Sequence, residues 1–150
     1  MQPYVAVVGA GEASREEAAA AEEVGRLLAE RGAVLVCGGL GGVMEAACRG
    51  AKEAGGSTVG ILPGRDRAAA NDHVDIAIAT GLGEARNALV VRAADVLIAV
   101  GGGYGTLSEI ALALKSGTPV VGIGSWELAG RPLKEARDPR EAVDLALGLR

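Results

Sequence analysis

At 150 residues the chain can bury a core of its own, and no disulfide staples are needed to hold it. Almost half of it is apolar, yet with no Phe, one Trp and two Tyr the core must be built from Val, Leu, Ile and Ala, the usual filling of a parallel sheet covered by helices. A net charge of −4, without a basic cluster and with few rings for base stacking, argues against nucleic acid as a partner.

Tyr4–Val8 is a short apolar run that stops at Gly9 and is predicted as the first strand. Ser14 and Glu17 have capping-box spacing, and Ala18, Ala21, Val24 and Leu28 continue one apolar helical face to about Arg31-Gly32. Val34–Cys37 follows as a strand and Val43–Ala54 as a helix ended by Gly55-Gly56, then Thr58–Leu62 as the third strand. The polar, breaker-rich stretch Pro63–Asp72 reads as the longest loop, with Arg65, Asp66 and Arg67 at hand to close over a ligand. Beyond it come strand Val74–Ala79, helix Glu84–Ala94, strand Val96–Val100, helix Thr106–Ser116 closed by Gly117, and strand Thr118–Ile123. Asp138 as N-cap with Pro139 behind it starts a last helix to Leu147.

Strands that alternate with helices in this way make a doubly wound α/β domain, residues 1–150, with a Rossmann-like parallel sheet. The strand order expected is 3-2-1-4-5-6, which sets the ends of strands 1 and 4 side by side at the switch point. Ligands of such sheets bind in that crevice. Three glycine turns close strands there: Gly9-Ala10-Gly11, Gly38-Gly39-Leu40-Gly41-Gly42 and Gly101-Gly102-Gly103-Tyr104-Gly105-Thr106. Bare backbone N–H groups at a helix start are where proteins hold phosphate, so the ligand expected is a nucleotide or a related phosphorylated small molecule.

NAD is disfavoured: the third fingerprint glycine is replaced by Ser14, and no acid follows the second strand. No GxxxxGK[ST] loop is present either. Cys37 and Cys48 lack metal-ligand spacing and read as small core residues, so no metal site is expected. His73, the one histidine, reads as structural or exposed. The first residues lead straight into a strand without a charged leader, and no apolar run approaches the roughly 18 residues of a membrane span. A soluble cytoplasmic protein without a membrane partner is expected.

With Gly102-Gly103-Tyr104-Gly105-Thr106-Leu107-Ser108-Glu109, with Gly38-Gly39 leading to Val43-Met44, and with Arg86, the chain resembles the LOG family over about Val5 to Gly122. That family comprises phosphoribohydrolases of cytokinin nucleoside 5′-monophosphates. Its relatives include proteins labelled "possible lysine decarboxylase" and molybdenum-cofactor carriers, and the short bacterial branch is the nearer one. The motif PGGxGTxxE falls on Gly101–Glu109, with glycine in the proline position. The family's Arg-Lys pair is Arg86-Asn87 here, the first glycine turn is shorter, Glu45 stands where a glycine follows Leu-Met, and the extra C-terminal helices are largely missing.

The resemblance implies Glu109 and Arg86 as the catalytic pair, acting on an AMP-like nucleotide without a cofactor. An oxocarbenium-like sugar would be met by the Glu109 carboxylate in the first turn of its helix, and Arg86 would bind phosphate or ribose and orient that acid. Thr106 and the glycines would take the phosphate, and Asn87 would stand in the place of the missing lysine. Plain structural readings stay beside these. Thr106-x-x-Glu109 is itself a capping box, Met44 touches a base or fills the core, Tyr104 packs on a ligand or lies on the surface, and Glu45 is a second acid or a first-turn charge. Lysine decarboxylation is set aside, since Lys52, Lys115 and Lys134 lie away from the crevice. Two functions follow: a phosphoribohydrolase, or a carrier that holds a nucleotide-like or molybdopterin-type ligand without turning it over. The resemblance also implies a homodimer or larger homo-oligomer, paired through Leu89, Val90, Ile110 and Leu114.

Overall fold

The computed structural model describes all 150 residues. Its elements in chain order are β1 Tyr4–Gly9, α1 Arg15–Glu30, β2 Val34–Cys37, α2 Val43–Glu53, β3 Ser57–Leu62, β4 Ile76–Ala79, α3 Arg86–Ala93, β5 Val96–Val100, α4 Tyr104–Ser116, β6 Val120–Ile123, β7 Lys134–Glu135 and α5 Pro139–Leu149. Short 3-10 turns at Arg67–Ala69 and Gly83–Ala85 sit in the two connections around β4.

All seven strands are parallel, in the order β4-β3-β2-β1-β5-β6-β7. This is the expected α/β Rossmann-like class, with one correction to the expected order. The strand predicted fourth pairs with β3 at the far edge (Val59 opposite Ile76), and β5 takes the place beside β1. Its sequence agrees with that position, because Ile76-Ala77-Ile78-Ala79 alternates where β1 and β5 are continuously apolar, and Ile76 and Ile78 are indeed exposed. The switch point therefore lies between β1 and β5. The two-residue β7, charged and exposed, was not legible as a strand and closes the other edge.

One face of the sheet is covered by α1, α2 and α5, the other by α3 and α4. Ser14 caps α1 as its spacing predicted: its Oγ accepts from Glu17 N, and Glu17 Oε1 accepts from Ser14 N. Asp138 caps α5 through Glu141 N. On one face the helices meet backbone to backbone. A Cβ on Gly25 of α1 would land on the Ala47 carbonyl of α2, and one on Gly50 of α2 would land on the Glu22 carbonyl of α1. Val90 and Ile110 are fully buried in the core, which removes them from the expected pairing surface, while Leu89 stays exposed. No helix is long and apolar enough to cross a membrane.

A cavity at the switch point

A cavity of about 530 Å³ opens at the C-terminal ends of β1, β2 and β5, in the size range of small-molecule sites. Of the residues singled out from sequence, Gly9, Gly11, Gly38, Met44, Arg86, Asn87, Gly103, Gly105, Thr106 and Glu109 line it. Gly39, Gly41, Gly42, Gly101, Gly102 and Tyr104 do not.

The glycines outside the lining shape the turns. Gly42 has φ +66° and sits against Ala10 and Gly11, so the first and second glycine turns touch, held by Val43 N donating to Ala10 O at 3.1 Å. Gly101 has φ +56° and presses on the Glu17 carboxylate of the α1 capping box. A side chain at either position would be strained and would also meet its neighbour. Glu45 and His73 take no place in the cavity, and of the loop expected to close over it only Pro63 reaches the lining.

Arg86 starts α3 and reaches back across the cavity floor, although its strand lies at the sheet edge. Its guanidinium lies flat on Gly38, where a Cβ would come within 2.7–2.8 Å of the Cζ and Nη atoms. Only 8% of Arg86 is exposed. Nη1 donates to Asn87 Oδ1, and Nε has no partner at all. The asparagine in the lysine position thus serves the arginine directly. A buried guanidinium with an unpartnered donor, lining a cavity rich in glycine N–H groups, favours an anion there.

Glu109 differs from its expected setting. The N-cap of α4 is Gly103, not Thr106, so Glu109 falls in the second turn and makes no cap hydrogen bond. The capping-box reading is thereby corrected. Glu109 is 7% exposed and accepts no hydrogen bond from the protein. Burial pushes its carboxyl from an ordinary 4.5 up to about 7, and the charge of Arg86 opposes the rise. Such a group is half protonated near neutrality and can either give or take a proton.

This has a consequence for stability. The folded pKa is raised, so the native state binds more protons than the unfolded chain between about pH 4.5 and 7, and stability falls as pH rises through that window. Glu109→Gln is expected to stabilise the protein above pH 7 by on the order of 2–3 kcal/mol, and to change little below about pH 4.5. Urea unfolding of both proteins across that range checks it; a pH-independent difference would refute the assigned burial cost.

Beneath the floor, Cys37 and Cys48 are free, buried and 3.5 Å apart, a proximity their spacing did not announce. The Cys48 hydrogen bond lowers the Cys37 thiol pKa against the effect of burial, with Gly39 N donating to Cys37 Sγ at 3.3 Å, while the Cys48 pKa is pushed up. Sequence reasoning also missed Ser125 and Trp126. Ser125 Oγ donates to Gly101 O at 2.7 Å and Trp126 Nε1 to Gly103 O at 3.1 Å, fastening the glycine turn from behind. Tyr104 turns its ring outward onto Trp126. Nothing short of the three-dimensional fold brings these residues together.

The profile of the SLOG cluster4 family matches residues 2–146. The molybdenum cofactor binding protein of Rippkaea orientalis superposes with a TM-score of 0.92 at 41% identity, over 99% of this chain and 97% of that one. The molybdenum cofactor carrier protein of Chlamydomonas reinhardtii gives a TM-score of 0.91 at 39% identity, over 99% and 98%. An uncharacterized protein of Archaeoglobus fulgidus is 55% identical over 95% of this chain and 93% of its own length. A rice (Oryza sativa subsp. japonica) protein, "Probable cytokinin riboside 5'-monophosphate phosphoribohydrolase", is 37% identical over 61% of this chain, a match spanning 38% of its own length.

Proposed function

Because the chain belongs to the SLOG cluster4 family, a LOG-related group with molybdenum-cofactor carriers among its structural neighbours, we propose that it binds and carries a phosphorylated planar ligand of the molybdopterin type. The observation that carries this reading is Arg86: a buried guanidinium that lines the cavity over a floor of glycine backbone, with its Nε unpartnered. The phosphate would lie between it and the Gly103–Thr106 helix start, where the helix dipole and the bare N–H groups add to its charge. Asn87 in place of a lysine leaves one cation fewer to fix the 5′-phosphate of a nucleotide while its base departs, which fits holding better than turnover. The free thiol pair fits a reducing compartment such as the cytoplasm.

Loading tests the proposal. Molybdenum cofactor released from a molybdoenzyme is mixed with the protein, the mixture is gel-filtered, and metal is counted in the protein peak. Stoichiometric molybdenum is expected for the native chain, and about tenfold less for Arg86→Ala. Native protein that leaves the column free of molybdenum would overturn the carrier reading.

One observation favours a second reading, the phosphoribohydrolase: the buried Glu109 carboxyl with its pKa near neutrality. There its ionised form would take a proton from water as the water oxygen bonds to C1′ and the C1′–N9 bond breaks, and pass that proton on to the departing base. Adenine released from AMP by the native protein, and not by Glu109→Gln, would establish this chemistry in place of carriage.

A further inference from the structure

We propose that the stacked rings of Tyr104 and Trp126 form a binding platform for a second planar heterocycle, so that the site accepts a dinucleotide-type ligand with its phosphates at the Gly101–Thr106 turn. The inference rests on reading the cavity as a site for a phosphorylated planar ligand, and extends it outward across that turn.

Aromatic side chains are scarce in this chain: one Trp and two Tyr, and no Phe. The Trp and one of the Tyr meet here, with ring centroids 6.0 Å apart and planes inclined by 29°. Trp126 has a structural task, since its indole N–H holds the Gly103 carbonyl. Tyr104 has none. It is 84% exposed, its hydroxyl makes no hydrogen bond, and the first position of a helix has no use for an aromatic ring. An exposed ring with one face backed by an indole and the other open is a stacking surface for a base.

Position argues the same way. Gly103 and Gly105, on either side of Tyr104, line the main cavity, so the turn stands between that cavity and the platform. Because the Trp126 and Ser125 bonds tie platform and turn into one piece, a ligand gripped at its phosphates would meet the rings already in place. The absence of an acid after β2, which disfavours NAD, is no obstacle here, since the second base would lie on the β6 side.

The experiment compares AMP with diadenosine pyrophosphate by calorimetry on the full chain, with sedimentation to fix the assembly state. Diadenosine pyrophosphate is expected to bind about tenfold tighter than AMP or better, and to change the fluorescence of Trp126, the sole tryptophan. Tyr104→Leu, which keeps an apolar group but loses the π face, should remove that advantage and leave AMP affinity and molecular mass as they were. Equal affinities in the native protein, or an advantage that survives Tyr104→Leu, would overturn the platform alone. A changed mass in Tyr104→Leu would also overturn it, assigning the rings to contact between copies. If neither compound binds, the platform is overturned while molybdenum loading still judges the cavity; if AMP binds Arg86→Ala undiminished, the reading of the cavity falls and the platform with it.

Discussion

Arg86→Met is expected to raise the stability of the unliganded protein by about 1–2 kcal/mol, while lowering its affinity for a phosphorylated ligand on the order of a hundredfold. Both effects have one cause. The guanidinium is almost fully buried, yet only Asn87 takes a hydrogen bond from it and Nε takes part in none. The free protein therefore bears a desolvation cost that an anion would repay. Methionine fills the same space over Gly38 with an unbranched apolar chain, and needs no partner. Removing one member of a buried charge pair usually destabilises, because the other is stranded. Glu109 escapes that fate: with its pKa already about 7, losing the nearby cation leaves it protonated and neutral at pH 7. Urea unfolding at pH 6.5–7, with calorimetric titration of the ligand, reads both quantities. A clear loss of stability would mean that the guanidinium supports the fold instead of awaiting a ligand.

Gly25→Ala is expected to cost about 3 kcal/mol or more, and Gly50→Ala a similar amount. Alanine is the better helix former by about 1 kcal/mol, so propensity alone predicts a gain. Sterics decide otherwise. Each new methyl would fall on a backbone carbonyl of the opposite helix, which has no rotamer by which to withdraw. The helices would have to separate, opening the best-packed contact on that face. Gly148→Ala in α5, where the added carbon would meet nothing within 4 Å, serves as the contrast and should be neutral or slightly stabilising. Chemical unfolding of the three variants gives the answer; equal effects at Gly25 and Gly148 would contradict the close approach.

Much of this was legible in the residues. Val34–Cys37 and Val96–Val100 are strands to the residue because they are short continuous apolar runs, the first between Gly32-Ala33 and Gly38, the second between Asp95 and Gly101. Ser14 and Glu17 announced their box because both partners lie within one turn. The place of β4 was not deduced, although its alternating pattern marks an edge strand; element order alone does not say on which side a strand is added. Arg86 and Glu109 were named from their motif, but their burial depends on Gly38 lying beneath and α3 packing back over the floor. The start of α4 was missed by two residues because Gly103 caps with its backbone alone, and Thr106 looked like the better cap. Trp126 lies beyond the reach of any local pattern, since its partner Gly103 is on the far side of both α4 and β6.

The close contact of α1 and α2 also governs traffic at the cavity. Its β1–β2 wall is backed by two helices that touch through their main chains, so that wall is stiff. Part of the opposite wall is the exposed 3-10 turn at Gly83–Ala85, which follows an edge strand, while α3 behind it is anchored by Arg86 over Gly38 and by Val90 and Val91 in the core. Of the two sides that turn is the less packed, so a ligand's arrival and departure would bend it first, and an anion engaging the neighbouring Arg86 would hold it closed. On the carrier reading, the residence time of a bound ligand would then depend on how often the Gly83–Ala85 turn lifts, and a partner that pried there would release the ligand without touching the phosphate grip.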